Sequence, residues 1–90
     1  MRKIKNPKPN EYVLITKYSD HDPYDPWALG WFSRKAKWGN VTTYYIIDEN
    51  GNESKYPKYQ HCFRLTLEEG RERMRKYYIT EKDIMQGKFL

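Results

Sequence analysis

The sequence predicts a mainly β domain. Five short antiparallel strands form a small half-open barrel over residues 11–65, and a C-terminal helical segment follows over 66–90. Three observations predict this. Short runs rich in Val, Ile, Thr, Tyr and Trp recur between Gly, Pro and Asn signals. Asn50-Gly51, the strongest short hairpin signal, lies between two such runs. Thr66-Leu-Glu-Glu69 is a capping box, in which a Thr hydroxyl and a Glu carboxylate serve each other's backbone donors.

The elements follow in order. Residues 1–10 carry Arg2, Lys3, Lys5 and Lys8 with Pro7 and Pro9, and read as a basic flexible arm or an extended lead-in. Tyr12-Val-Leu-Ile-Thr-Lys-Tyr18 is the first strand, apolar on both faces near its start, as where both sides are covered. Asp22-Pro23 and Asp25-Pro26 then stiffen a loop, because proline fixes its own φ and keeps the preceding residue extended. Trp27–Arg34 is the second strand, and Gly30 within it suggests a bulge or sharp bend. Lys37-Trp-Gly-Asn40 reads as a turn, and Val41-Thr-Thr-Tyr-Tyr-Ile-Ile47 is the clearest strand. The return strand covers about Glu53 to Tyr59, with Pro57 demoting its far half to an edge. His61–Leu65 is a short last strand. In the helix, Leu67, Gly70, Met74 and Tyr77 or Tyr78 fall on one face, Thr80–Asp83 reads as a second start, and Gly87 as its end.

Composition bounds the function. A chain of 90 residues makes one modest domain without room for a large cleft. Hydrophobic residues make up only 38%, yet aromatics reach 17%, so a small core leaves rings over for a surface. Cys62 is the single cysteine, which excludes an intramolecular disulfide and fits a cytoplasmic setting. No apolar run approaches the roughly 18 residues of a membrane helix, so no membrane partner is expected. The net charge is +5, but the sign alternates along the chain. Lys17 alone faces Glu11, Asp20, Asp22 and Asp25. Arg34, Lys35 and Lys37 then form a basic cluster, and Asp48, Glu49 and Glu53 an acidic one.

Each constellation has a bland reading beside the sharp one. Asp20, His21, Asp22 and Asp25 offer metal-ligating atoms, but two prolines stiffen the loop and no closing Glu follows, so the aspartates read as turn caps. His61 and Cys62 are neighbours on a strand and point to opposite faces, so no thiol–imidazole pair forms. No cofactor, metal site or catalytic residue is expected. The aromatics carry more. Tyr24 and Trp27 are stiffly presented beside Asp20, Asp22 and Asp25, with Tyr56 and Tyr59 opposite them, and together these make a protein-binding surface. Trp31 reads as core. Arg34, Lys35, Lys37 and Trp38 make an alternative surface, an aromatic beside cations suited to single-stranded nucleic acid.

The strand order resembles the SH3-like barrel, including its Tudor, chromo-barrel and KOW-type variants, over about residues 11–65. The Ala-Leu-Tyr-type strand of peptide-binding SH3 domains is absent. The runs Tyr12–Tyr18 and Asp22-Pro-Tyr-Asp-Pro-Trp-Ala-Leu-Gly30 are also similar to small bacteriophage and prophage proteins. The resemblance implies a mobile-element origin. The function expected is a non-enzymatic protein-binding module, a host-takeover or counter-defence inhibitor of the anti-CRISPR type, whose partner is a host protein or protein complex. The alternative is a nucleic-acid-binding barrel of the KOW or Tudor-like kind.

Overall fold

The computed structural model describes residues 2–18 and 26–85, with side chains through residue 76. Six strands form one antiparallel sheet: β1 (Arg2–Ile4), β2 (Tyr12–Thr16), β3 (Trp27–Trp38), β4 (Val41–Ile47), β5 (Glu53–Pro57) and β6 (His61–Arg64). One helix, α1 (Leu67–Met85), follows. The sheet order is β1-β6-β2-β3-β4-β5.

A five-stranded sheet was expected; the described residues form six strands, of which β2 to β6 fall between residues 11 and 65. The sixth lies in the basic lead-in, where Arg2, Lys3 and Ile4 pair with Arg64, Phe63 and Cys62. Its composition conceals it, because exposed edge strands carry charge and only Ile4 packs on the core.

Topology requires the sheet to curl. β5 and β6 are four positions apart, about 19 Å in a flat sheet at the usual strand spacing. Residues 58–60 alone connect them, and four Cα steps reach at most about 14 Å. The amide of Lys58 donates to Thr42 and that of Gln60 to Thr16, tying this connection to β4 at one end and to β2 at the other. Lys58 takes a positive φ of 67° at the corner. The sheet is curled but not closed, and β1 and β5 are its edges.

Curling separates two cores. Val13, Ile15, Ala28, Phe32, Tyr44, Ile46 and Cys62 fill the concave side, with Ile4, Tyr56 and Tyr59 packed against them. Leu14, Phe63 and Leu65, with Tyr12, Trp27 and Leu29, form a second cluster on the convex side. This explains why β2 is apolar on both faces. Gly70 of α1 meets the Tyr12 ring, so the helix covers this cluster. The convex face of the β3–β4 hairpin lies outside that cover.

Gly30 is a point of close approach rather than a bulge. The β2–β3 register runs unbroken through Val13↔Gly30, and a Cβ there would meet the Ile47 carbonyl oxygen and Ile46 Cγ2. The irregularity comes later, between Phe32 and Arg34. Because the register holds at Gly30, Trp27 and Trp31 share the convex face. Trp31 is therefore not barrel core; its ring lies 5.0 Å from that of Tyr12.

The capping box forms as expected. Thr66 N–H donates to Glu69 Oε1 at 2.9 Å, and Glu69 N–H to Thr66 Oγ1 at 3.1 Å. The helix then runs unbroken through Thr80, so no second start occurs there, and Gly87 lies outside the described residues. Leu67 stays 44% exposed. Gly70 is buried and Met74 half-buried, as the expected face requires, and Arg73 joins them with its guanidinium 5.1 Å over the Trp27 ring; the side chains of Tyr77 and Tyr78 lie outside the described residues.

Candidate nucleic-acid interface

The β3–β4 hairpin projects from the curled sheet. Its turn is two residues, Gly39-Asn40, between the pair Trp38↔Val41. Gly39 has φ +59° while Asn40 stays out of the positive region, the pattern of a type II′ turn that needs glycine first. Strand β3 thus extends to Trp38, and the expected turn over 37–40 shrinks to its last two residues.

Ser33 sets the faces of this hairpin. Phe32 pairs with Ile46 and Arg34 with Tyr45, so Ser33 is the extra residue on β3. Without it, alternation would put Arg34 on the concave side with Phe32. With it, Arg34, Ala36 and Trp38 line the convex face opposite Tyr45, Thr43 and Val41. Lys35 and Lys37 take the other face, opposite Tyr44 and Thr42.

The side chains are held in different ways. The Arg34 guanidinium lies 3.9 Å over the centre of the Tyr45 ring, a cation–π contact. Arg34 Nε is also 3.9 Å from Glu53 Oε1, and Ser33 Oγ donates to that same oxygen at 2.6 Å. Glu53 therefore orients the guanidinium over the ring. Lys35 Nζ lies 5.6 Å over the Tyr44 ring and donates to the Lys5 carbonyl at 3.4 Å. Lys37 is exposed near the tip. Trp38 is 82% exposed, and Val41 across from it is 37% exposed. Residues 26–47 contain three cations and no carboxylate side chain.

Arg34, Lys35, Lys37 and Trp38 therefore come together on one hairpin. The protein-binding set divides. Asp20, Asp22, Tyr24 and Asp25 lie outside the described residues. Trp27 is half-buried against the convex cluster beneath Arg73. Tyr56 and Tyr59 pack edge to face, 5.2 Å apart, against the concave core. Trp27 thus does not share a surface with the two tyrosines, because the sheet lies between them.

Tyr45 and Lys55 are the members that sequence reasoning missed. They are cross-strand partners, and Lys55 is exposed. The signal for Tyr45 was available: counting back from a two-residue Gly39-Asn40 turn brings Arg34 opposite it.

The remaining chemistry is structural. Cys62 is buried on the concave side, and desolvation, with the Glu11 charge adding to it, pushes its thiol up to about 12. A thiol so protonated is not a nucleophile at neutral pH. Its neighbour His61 pairs with Thr16 and points to the opposite face. A shallow depression lined by Arg2, Arg64, Leu65, Thr66 and Glu69 lies at the start of α1. Two of its polar groups are engaged internally, Arg64 by Glu11 and the Thr66 amide by Glu69. Among the described residues no three His, Cys, Asp or Glu side chains group to hold a metal ion, and no helix is long and apolar enough to cross a membrane. Comparison with protein-family models, curated proteins and solved structures gives no match.

Proposed function

We propose that the protein is a non-enzymatic nucleic-acid-binding module built on an SH3-like barrel. Strand order supports the barrel: β2 to β5 form a meander, β6 returns beside β2, and a three-residue connection keeps the sheet curled. One observation carries the nucleic-acid reading. The most exposed large ring described, Trp38, stands on a hairpin whose only charged side chains are Arg34, Lys35 and Lys37. Cations attract phosphate, and an aromatic beside them meets bases. The protein-partner reading, with its phage counter-defence role, draws chiefly on residues 19–25. Its three described aromatics are packed on core clusters rather than presented.

Fluorescence anisotropy with labelled DNA and RNA oligonucleotides tests this. Binding is expected at low salt, falling steeply between about 50 and 200 mM as phosphate contacts compete with counterions. The pair Lys35→Glu and Lys37→Glu should weaken binding strongly. If the parent binds no oligonucleotide at low salt, or the charge-reversed variant binds equally well, the reading is wrong.

A further inference from the structure

We infer that the ligand is single-stranded, and that the convex face of the β3–β4 hairpin is a stacking platform for its bases. The inference rests on the nucleic-acid reading above and adds the strandedness and the residues that read it.

The face carries two flat surfaces. One is the Trp38 indole, which Val41 opposite is too small to cover. The other is the Arg34 guanidinium, a planar group centred 3.9 Å over the Tyr45 ring and within 3.9 Å of Glu53. Nucleobases stack on guanidinium planes as well as on aromatic rings. Trp38 is four steps along the strand from Arg34, about 13 Å at the usual rise per residue. Between them Ala36 and its partner Thr43 are small, so nothing tall interrupts the face. Lys55 lies beside Tyr45 on the neighbouring strand and adds an exposed cation to the Arg34 end of this face, while Lys37 stands at the tip on the other face. Among the described residues Glu53 is the one carboxylate in contact with this set, and it is occupied by Arg34 and Ser33.

These features favour a single strand over a duplex. In a duplex the bases are stacked on one another and offer only their edges in the grooves. Reading those edges uses amide and guanidinium groups directed at base atoms. The paired positions of this face include no Asn or Gln, and its guanidinium is centred 3.9 Å over the Tyr45 ring. An exposed indole gains most from an unstacked base.

The test compares an oligothymidylate with a duplex of equal length by anisotropy, using the full chain. The parent should bind the single strand more tightly. Trp38→Ala should weaken that binding at least about fivefold, the low end of what one stacked base contributes. The salt slope should stay unchanged, because no phosphate contact is lost. Arg34→Lys should also weaken it, although the charge is kept, because the planar group is gone. Both positions are exposed, so the circular dichroism spectrum and melting midpoint should match the parent and exclude unfolding as the cause. Equal affinity for the duplex, with both variants binding like the parent while the Lys35/Lys37 reversal abolishes binding, would overturn the platform and leave the nucleic-acid reading standing. Absence of binding to either oligonucleotide at low salt would overturn both.

Discussion

Gly70 sits against the ring of Tyr12, and a Cβ at that position would lie 2.6 Å from Tyr12 Cε2 and 2.8 Å from Cζ. This contact brings α1 onto the sheet. It also accounts for a glycine inside a helix, where it costs about 1 kcal/mol relative to alanine. Gly70→Ala sets propensity against sterics. Overpacking by one methyl costs about 1–3 kcal/mol, so the variant should be less stable than the parent. In a Tyr12→Leu background the ring is absent, and the same change should become neutral or stabilising. Urea denaturation of the four proteins of this cycle measures the coupling. Additive effects would mean that the ring does not set the helix position.

Glu11 ties the lead-in to the sheet. Its carboxylate accepts the Lys8 amide at 2.9 Å and also bonds Arg64 Nε. The Lys8 hydrogen bond first, then Arg64, hold its pKa below the ordinary 4.5. A carboxylate depressed in the folded state adds stability above its unfolded pKa and loses it as pH falls through the folded value. Stability should therefore decline as pH falls below that ordinary value of 4.5. Glu11→Gln should flatten part of that decline. An identical acid limb in chemical denaturation of the two proteins would show that the carboxylate adds nothing.

Thr16 is fully buried, and its Oγ1 has no hydrogen-bond partner among the described residues. An unsatisfied buried hydroxyl costs about 1–3 kcal/mol, and replacement by an apolar group of the same shape removes that penalty. Thr16→Val keeps β-branching for β2 and should raise stability by about 1 kcal/mol. A rise in urea midpoint at constant slope is the expected result; a fall would mean that the hydroxyl is satisfied in solution.

Cys62 should be inert in the folded protein. Its thiol is enclosed and held protonated up to about 12. Iodoacetamide near pH 8 should modify it only as fast as the protein opens, with the rate rising sharply in denaturant. Mass spectrometry of timed aliquots reads this directly. Fast labelling without denaturant would place the thiol at the surface.

Much of the architecture is legible in the residues. Val41–Ile47 carries its own strand signal, and the Thr66–Glu69 box places the start of the helix. The Asn50-Gly51 signal also gives a hairpin, but its geometry depends on a residue outside the pair. Asp48 Oδ1 accepts the amides of Asn50 and Asn52, and Gly51 takes φ +82° in a three-residue loop. Other features depend on tertiary contact and leave little local trace. β1 exists because β6 offers it an edge. Ser33 bulges because β4 must follow the curl, and nothing about a serine announces that. Trp27 carries the same aromatic signal in a loop or in a cluster, and only the packing of α1 decides between them. At the candidate site the cations and the indole are readable one by one. The contact of Arg34 with the Tyr45 ring requires the hairpin register.

From Ala36 to Thr42 the hairpin carries no buried side chain, whereas the same two strands are anchored further back by Phe32 and Tyr44. Substitutions at this tip are thereby decoupled from foldability. Lineages carrying the chain can vary ring, charge and turn there with little penalty to the core, as antibody loops vary on a constant frame. Ligand preference can drift from one descendant to the next while the fold persists, and the tip is where divergence between relatives should concentrate.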